Sequence, residues 1–286
     1  MALQRFWEKL SDVTGYYYDL ELIESGQSRY QSFEVGISPL YGRMFRLDGC
    51  AMTSEADEFI YHENLIHIPA LAHPEPRRAL IIGGGDGGSA EELLKYPSIE
   101  AIDLVELDEK VIELAKKYFH AIHRGALDHP KVSVRIEDGL QFVAEAAQSG
   151  RRDYDLIVLD LTDPVGPAEA LYQEPFFQQC ALLLGENGLL SLHIGSPDHL
   201  PERIKTLVAR LRRVFRYVYP HFHYIPLYGA LWGIAAASNG TDCAVMTPER
   251  IDERITTRGI TDLRYLDGEN YRARGILPRY VRDLIA

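Results

Sequence analysis

The pattern of hydrophobic and polar positions divides the chain into two parts. In the first part, short runs rich in aromatic and β-branched residues are separated by turns that contain glycine or proline. These runs predict strands at Tyr16–Glu24, Arg29–Ile37 and Arg43–Leu47, which would form an antiparallel meander. A helical pattern follows over Glu55–His67, and Ser54 can cap its first turn.

In the second part, apolar runs of strand length alternate with helical patterns. The predicted strands are Ala79–Ile82, Ala101–Val105, Val132–Ile136, Leu156–Leu159 and Gly188–His193, with further strands over Trp232–Met246. The predicted helices are Ala90–Tyr96, Glu109–Phe119, Leu140–Ala147, Pro175–Leu183 and Pro201–Arg213. This alternation indicates an α/β fold, a doubly wound parallel sheet with helices on both faces. We therefore expect an N-terminal β-strand domain over residues 1–72 and a Rossmann-like domain over residues 73–286.

A glycine-rich loop follows the first predicted strand of the second part. Gly83, Gly85 and Gly88 fit the pattern G-x-G-x-x-G, in which glycine permits a sharp turn and a close approach of ligand to backbone. The start of the next helix would face that ligand with free N–H groups. Asp86 lies inside the loop, and its carboxylate would repel a pyrophosphate but attract a cation. The loop therefore predicts a site for a nucleoside with a positively charged tail, although a glycine-rich turn without a ligand would have the same pattern.

Acidic residues stand at the carboxyl end of each of the first four parallel strands. They are Asp86, Glu106 with Asp108, Asp138, and Asp160 with Asp163. Ligands of open parallel sheets bind beyond these strand ends, so we expect the carboxylates to meet around one ligand. Glu106 lies 18 residues after Gly88, where an acid can accept both ribose hydroxyls. Asp138 with Gly139 suits an adenine amino group, and since an NAD site requires no acid there, an oxidoreductase is disfavoured.

Two of these acids have a simple structural alternative. Asp138 precedes a glycine and Asp163 precedes Pro164, and aspartate is common in turns at both kinds of position. Taken singly, each is as compatible with a turn as with a binding role. The occurrence of acids at four strand ends favours the functional interpretation.

Composition and charge restrict the partners further. The chain has 286 residues and a net charge of −12, which disfavours nucleic acid as a partner and is compatible with a cationic substrate. Its three scattered cysteines fit a reducing compartment. We expect no signal peptide, because residues 1–10 include Gln, Arg, Glu and Lys and contain no apolar h-region. We expect no membrane partner, because no apolar run approaches the roughly 20 residues of a membrane span. The expected location is cytoplasmic. No metal site is expected, since the chain has no HExxH motif, and His62 and His67 do not share a helix face.

The motifs together resemble the polyamine aminopropyltransferases, the spermidine synthase family, from about Ser28 to the C-terminus. The resemblance is carried by Ser28-Arg-Tyr-Gln31, Leu47-Asp-Gly49, Asp57-Glu-Phe-x-Tyr61-His62-Glu63, Gly83-Gly-Gly-Asp-Gly-Gly88, Val105-Glu-x-Asp108, Asp138-Gly139 and Asp160-x-x-Asp-Pro-x-Gly-Pro-Ala-Glu169. It implies a methyltransferase-type Rossmann-like fold behind a small antiparallel β-domain. It also implies that decarboxylated S-adenosylmethionine donates an aminopropyl group to a polyamine, methylthioadenosine is released, and no further cofactor is needed. A homodimer or homotetramer formed through the N-terminal strands is expected on the same ground.

The resemblance assigns roles to individual residues. The residues expected to bind the donor and its nucleoside are Gln31, Gly83, Gly85, Asp86, Glu106, Asp138 and Gly139. Asp160 would take the proton of the acceptor, and Tyr61 and Asp163 would position the acceptor as further catalytic residues. The expected acceptor pocket contains Tyr61, His62, Asp163, His193, Tyr228 and Trp232. Trp7 is the candidate for a tryptophan that the family places near this pocket.

Several positions depart from the residues that the family usually has. The chain has Met52 where glutamine is usual, His62 and His193 at positions that are often glutamine, and Leu161 in a segment that usually reads Asp-Ser-Ser-Asp. These departures surround the expected acceptor pocket, so the acceptor stays open. Putrescine, giving spermidine, is favoured, and spermidine, agmatine and cadaverine are alternatives.

Two other functions remain as alternatives. A methyltransferase that uses ordinary S-adenosylmethionine would share the glycine loop, but Asp86 would repel the carboxylate of that donor. A non-catalytic polyamine-binding protein would not need Asp160, Asp163 and Tyr61, all of which this chain retains.

Overall fold

The N-terminal part of the protein is an antiparallel β-sheet. The computed structural model describes residues 3–164 and 166–286, apart from the side chain of Pro167. Within those residues, the first sheet has five strands in the order β1-β2-β3-β4-β5. They span Gln4–Lys9 (β1), Gly15–Gln27 (β2), Ser32–Ser38 (β3), Gly42–Leu47 (β4) and Cys50–Ser54 (β5). The predicted meander is confirmed, and β1 and β5 were missed because both are short and rich in residues of weak strand preference.

The second part contains a mixed sheet of seven strands within the described residues. They span Arg78–Gly83 (β6), Ala101–Glu106 (β7), Val132–Ile136 (β8), Tyr154–Asp160 (β9), Leu184–Gly195 (β10), Tyr217–Ile225 (β11) and Ala230–Ser238 (β12). The spatial order is β11-β12-β10-β9-β6-β7-β8. Strands β6 to β10 pair in parallel, and β12 pairs antiparallel with both β10 and β11. The predicted doubly wound sheet is confirmed, and its strand order reverses between β6 and β9, which is where such sheets bind ligands.

Helices cover both faces of this sheet. They span Glu58–Ala72 (α1), Gly88–Leu94 (α2), Glu109–Tyr118 (α3), His120–His123 (α4), Gly139–Gln148 (α5), Glu174–Leu183 (α6), Pro201–Val214 (α7), Pro248–Thr257 (α8), Gly268–Arg274 (α9) and Arg279–Leu284 (α10). The helices predicted after β6, β7, β8, β9 and β10 agree with α2, α3, α5, α6 and α7 to within two residues at each end. Within the described part of the chain, no helix is both long and apolar enough to cross a bilayer.

The apolar run of β6 is explained by burial on both faces of the sheet. Ala79 and Ile81 belong to the core on one side, and Leu80 and Ile82 belong to the core on the other side. All four side chains are almost fully buried. A strand buried on both faces reads as a continuous apolar run, which is the pattern from which β6 was predicted.

Helix α1 differs from its prediction at both ends. It begins at Glu58, not Glu55, and continues to Ala72, not His67. Ser54 ends β5, and its hydroxyl donates to Asp57 at 2.5 Å, so the predicted Ser54 cap is wrong. The helix has no solvent-exposed face over residues 61–72, because all of them are buried, and it packs against α2 and β10. An amphipathic pattern could not mark the end of a helix that is buried all round. The division of the chain at residue 72 stays a prediction.

The strand prediction over Trp232–Met246 is correct only in its first half. Strand β12 ends at Ser238, and residues 243–245 form a single 3-10 turn. The turn begins after Asp242, whose carboxylate accepts a hydrogen bond from the backbone N–H of Ala244 at 2.8 Å. The polar residues between Ser238 and the turn end the strand. The apolar residues of the turn itself no longer belong to the sheet.

Candidate active site

A cavity of about 330 Å³ lies at the carboxyl ends of β6, β7, β8 and β9. The predicted site residues that line it are Gln31, Tyr61, His62, Gly83, Gly85, Asp86, Glu106, Asp138, Gly139, Asp160 and Tyr228. The N-terminal sheet closes the other side of the cavity through residues such as Phe45 and Met52. The sequence therefore identified residues from distant segments that the fold brings around a single space.

The glycine loop is tied to the end of β9. Gly83 pairs with Asp160 in the parallel register of β6 and β9, and the N–H of Gly84 donates to the carbonyl of Asp160 at 2.8 Å. Gly83 has a φ of +80°, and a Cβ at this position would collide with the carbonyl oxygen of Asp160. Only glycine permits both the left-handed turn and this close approach.

The start of α2 is partly occupied by Asp86. One carboxylate oxygen of Asp86 accepts a hydrogen bond from the N–H of Gly88 at 3.0 Å. The helix was expected to offer free N–H groups to a ligand, but Asp86 takes the N–H of its first residue. The loop therefore presents a carboxylate to the cavity at this point, which favours a cationic ligand group.

His62 lies at the centre of a group of carboxylates. Its Nδ1 is 2.8 Å from Glu58 Oε2, and its Nε2 is 3.5 Å from Asp86 Oδ2 and 3.9 Å from Asp160 Oδ2. Burial alone would lower the pKa of His62, but Asp86, Glu58 and Asp160 outweigh burial and raise the pKa to about 10. The three carboxylates therefore favour the imidazolium form of this side chain.

The environment of Asp160 raises the pKa of its carboxyl above that of an aspartate in water. Burial raises the pKa of its carboxyl above the ordinary value, and the charge of Asp86 raises it further. The charge of His62 opposes this rise, and the hydroxyl of Ser89 donates to Oδ2 at 2.7 Å. The neighbouring Tyr61 keeps its proton because burial raises the pKa of its hydroxyl well above 10. Asp160 is thus a stronger base than an aspartate in water, beside a tyrosine that remains a donor.

Other residues of the cavity wall are suited to a nucleoside. Burial raises the pKa of Glu106 to about 7, and its Oε1 accepts a hydrogen bond from the N–H of Asp108 at 2.9 Å. Asp108 in turn accepts from Ser28 Oγ at 2.6 Å and from Gln31 Nε2 at 3.1 Å. The segment Ser28–Gln31 is therefore fixed to the start of α3, and Gln31 is placed at the cavity wall.

Asp138 serves as a turn residue and also lines the cavity. Its carboxylate caps α5 by accepting from the N–H of Leu140 at 2.8 Å, which is the structural role considered from the sequence. Asp138 and Gly139 nevertheless both lie at the cavity wall. The turn and the binding interpretation are thus compatible at this position.

Three residues expected in the acceptor pocket do not line the cavity. Asp163 is 2.9 Å from Arg203 Nη1 in an ion pair. His193 is buried, which lowers its pKa, and its Nε2 lies 2.6 Å from the hydroxyl of Tyr172. Trp232 stacks on His193 with 5.8 Å between ring centroids. Among the lining residues that the structure describes, these three are absent, and a role at the acceptor stays a prediction.

Trp232 nevertheless contacts the cavity wall indirectly. Its ring centroid lies 5.0 Å from that of Tyr228, which in turn lies 6.2 Å from that of Tyr61. Trp7 does not belong to this group of aromatic rings. It is 67% exposed on β1 and packs edge-on against Tyr17. The aromatic wall therefore connects Trp232, but not Trp7, with the cavity.

Sequence reasoning missed the contacts that three polar residues make in the site. Ser89 donates to Asp160, Glu58 accepts from His62, and Asp108 fixes Gln31. A signal for Glu58 was available, because residues four apart on a helix are neighbours. Asp108 lies in the motif Val105-Glu-x-Asp108 and was expected among the strand-end acids, but no contact was predicted for it.

The spacing of His62, Asp86 and Asp160 is also one that a cation could occupy. One polar atom from each residue lies within 4.8 Å of the others. A metal would need the lone pair of His62 Nε2, which a proton occupies in the imidazolium form. The expectation that no metal binds here therefore stays a prediction that needs its own test.

The comparisons with known proteins agree with this geometry. Residues 58–246 match the family described as the spermine/spermidine synthase domain. The polyamine aminopropyltransferase of Nitrosomonas europaea is 43% identical over 280 residues, which cover 98% of this chain and 85% of that protein. The polyamine aminopropyltransferase of Bacillus cytotoxicus is 36% identical over 264 residues, covering 92% of each chain.

Solved structures show the same fold. A spermidine synthase in complex with the transition-state analogue AdoDATO superposes with a TM-score of 0.91 at 32% identity, covering 99% of this chain and 94% of that one. The spermidine synthase of Thermotoga maritima gives a TM-score of 0.90 at 32% identity, with the same coverage. The predicted enzyme class is confirmed by these relatives. The chain belongs to the spermine/spermidine synthase family, the aminopropyltransferase family that its motifs resemble.

Proposed function

We propose that the protein transfers the aminopropyl group of decarboxylated S-adenosylmethionine to an amine, with putrescine as the preferred acceptor. The observation that carries this proposal is the pair of carboxylates, Asp86 and Asp160, at the switch point of the sheet. The pair lies in the same cavity as Glu106 and Asp138, which suit a nucleoside. The cavity is therefore proposed to hold a nucleoside together with cationic amine groups.

The donor is proposed to bind across the glycine loop. Glu106 accepts the ribose hydroxyls, Asp138 accepts from the adenine amino group, and Asp86 pairs with the ammonium of the aminopropyl arm. Ordinary S-adenosylmethionine carries a carboxylate on that arm, which Asp86 would repel. Asp86 thus supports the decarboxylated donor over a methyl donor.

The transfer step is a displacement at carbon. The acceptor nitrogen forms a bond to the aminopropyl carbon next to the sulfonium, and the carbon–sulfur bond breaks. Its electron pair stays on sulfur, so methylthioadenosine leaves as a neutral thioether, and the acceptor nitrogen gives one proton to Asp160. No metal or further cofactor is required in this proposal, because the sulfonium is already an activated leaving group.

The amine must lose its proton in a site suited to that step. Alkyl ammonium groups have a pKa of about 10, and an aspartate in water has a pKa of about 3.9, so an ordinary aspartate is a weak base for them. Burial and Asp86 raise the pKa of Asp160. The sulfonium of the bound donor and the nearby His62 lower the pKa of the amine by charge repulsion. Tyr61 and Tyr228 then hold the amine in line with the carbon–sulfur bond.

The far end of the acceptor is proposed to interact with Asp163. Asp163 is paired with Arg203, so this role requires a diamine cation to displace the guanidinium. His193 and Trp232, which stack on each other, are proposed to limit the length of the acceptor. A short diamine fits this arrangement better than a longer polyamine.

A product assay tests the proposed function. Purified protein receives decarboxylated S-adenosylmethionine with putrescine, cadaverine, agmatine or spermidine, and mass spectrometry detects any amine that gains one aminopropyl unit. We expect spermidine from putrescine at the highest rate. Faster transfer to another amine would overturn the choice of acceptor, and methylated amine from ordinary S-adenosylmethionine would overturn the choice of donor. Binding of amines without any product would favour the non-catalytic alternative.

We also propose a homodimer or homotetramer in the cytoplasm, assembled through the N-terminal sheet. Trp7 and Tyr17 support this proposal, since they are 67% and 48% exposed on neighbouring strands of that sheet. Light scattering coupled to gel filtration measures the assembly. Trp7→Ser should shift the protein towards smaller species, and a monomeric wild-type protein would contradict the proposal.

A further inference from the structure

We propose that His62 is a positioning residue of the transfer reaction, whose imidazolium keeps Asp160 ionised and neutralises the Asp86–Asp160 pair until substrate cations arrive. This inference rests on the proposed function and adds a residue to it. His62 was expected only as part of the acceptor pocket wall. The structure places it among the carboxylates, where its charge acts on the base.

The charged neighbours of His62 favour protons on both ring nitrogens. Nδ1 lies 2.8 Å from Glu58 Oε2, and an ionised carboxylate can only accept, so Nδ1 carries a proton. Nε2 is directed to two further carboxylates, with Asp86 Oδ2 at 3.5 Å and Asp160 Oδ2 at 3.9 Å. A neutral ring would turn a lone pair towards these oxygens. Three carboxylates around one buried imidazole therefore favour the cation.

The ring is held in this position by packing. His62 is only 2% exposed, and Glu58 one turn earlier on α1 fixes its orientation. Gly88 at the start of α2 lies against the face of the ring, and a Cβ there would overlap the ring atoms. The contact with Gly88 and the hydrogen bond with Glu58 therefore restrict the position of the imidazole.

The charge of His62 has no equivalent at the cavity wall. Among the described residues that line the cavity, the acids are Asp48, Asp86, Glu106, Asp108, Asp138 and Asp160. His62 is the only basic side chain in that lining. The other titratable groups that face the cluster are Tyr61, Tyr228 and Asp57. The carboxylate of Asp57 already accepts hydrogen bonds from Ser54 and from the N–H of Leu227. None of these groups can replace a positive charge beside Asp160.

Loss of the imidazolium should therefore raise the pKa of Asp160. Burial and Asp86 both raise the pKa of Asp160, and His62 is the strongest opposing influence, ahead of the hydrogen bond from Ser89. A charge at this distance shifts the pKa of a carboxyl by about 1 to 3 units. Without His62, Asp160 would hold a proton at pH values where the wild-type residue is already a base. The longer distances from Nε2 to the aspartates leave room for an amine to compete for the same oxygens.

The pH profile of His62→Gln tests the inference. Glutamine keeps much of the volume of histidine and removes the charge. We expect the acidic limb of the kcat profile to move upward by about 1 to 3 pH units, with activity recovering at alkaline pH. The matched control is His67→Gln on the same helix. His67 is also buried and lies 2.7 Å from Glu92, but it does not line the cavity, so its limb should stay at the wild-type pH.

A direct titration keeps the inference testable without turnover. The carboxyl carbon of Asp160 is followed by NMR in substrate-free wild-type and His62→Gln protein, and the ring nitrogens of His62 are followed in the wild type. We expect a protonated ring from pH 6 to 8.5 and a higher Asp160 pKa in the variant. A neutral ring at pH 7, or an unchanged Asp160 titration, would overturn the inference. Inactive wild-type protein with the expected titrations would instead refute the proposed function alone.

Discussion

The ionisation of Glu106 should control the affinity for the nucleoside. Both ribose hydroxyls can donate to Glu106 only when its carboxyl is ionised, and burial raises its pKa to about 7 in the free protein. The ionised fraction is then about 3% at pH 5.5 and about 97% at pH 8.5. If only the ionised form binds, the dissociation constant falls about 30-fold between those two pH values. The affinity should therefore increase with pH, most steeply below pH 7.

Methylthioadenosine is the suitable probe for this effect. It has the nucleoside but not the aminopropyl ammonium, so Asp86 and Asp160 do not gain a charged partner when it binds. Isothermal titration calorimetry at half-unit steps from pH 5.5 to 8.5 gives the dissociation constants. Glu106→Gln should bind more weakly than wild type at pH 8.5 and show little dependence on pH. A flat wild-type affinity, or a Glu106→Gln variant with the same slope as wild type, would refute the reasoning.

Three further predictions concern other parts of the protein. Gly88→Ala should displace the His62 ring and lower the free energy of unfolding by about 1 to 3 kcal/mol in urea titrations. The control Gly185→Ala should change the free energy of unfolding little, because a Cβ at position 185 meets only the Tyr154 carbonyl oxygen at 3.8 Å. Burial lowers the pKa of His221 to about 3 and that of His223 well below 6.5. The free energy of unfolding should therefore fall by about 1.4 kcal/mol per pH unit and per histidine as the pH decreases below 6.5. A His221→Gln variant that keeps the wild-type slope in pH-dependent denaturation would contradict this. Arg203→Gln should free Asp163 from its ion pair. In steady-state assays, the KM for the acceptor should fall several-fold while the KM for the donor stays unchanged. A higher acceptor KM would argue that Arg203 itself binds the substrate.

The sequence predicted the parts of the site that follow from strand order. Each strand of a parallel sheet ends at the same edge, so Asp86, Glu106, Asp138 and Asp160 had to meet once the alternation of strands and helices was recognised. The pairing of Gly83 with Asp160 is a direct consequence of the reversal in strand order. These positions required no knowledge of side-chain packing.

The remaining contacts depend on packing between segments that no local pattern connects. Asp163 and Arg203 are 40 residues apart, and nothing near either residue indicates their ion pair. The continuation of α1 to Ala72 depends on burial between α2 and β10, where a helix that is buried all round has no exposed face to mark its end. The charge of His62 likewise depends on Asp86 and Asp160 from two other segments, in addition to Glu58 on its own helix.

The most direct test of the account compares wild-type protein with Asp160→Asn in one stoichiometric assay. Both proteins receive decarboxylated S-adenosylmethionine and putrescine, and mass spectrometry counts methylthioadenosine and spermidine while calorimetry measures donor binding. For the wild type, we predict equal amounts of the two products. For Asp160→Asn, we predict donor affinity within a few-fold of wild type and a turnover reduced by about 10² to 10⁴. Equal turnover by the variant would contradict the role of Asp160 as the base, and methylthioadenosine without spermidine from the wild type would contradict transfer to the amine.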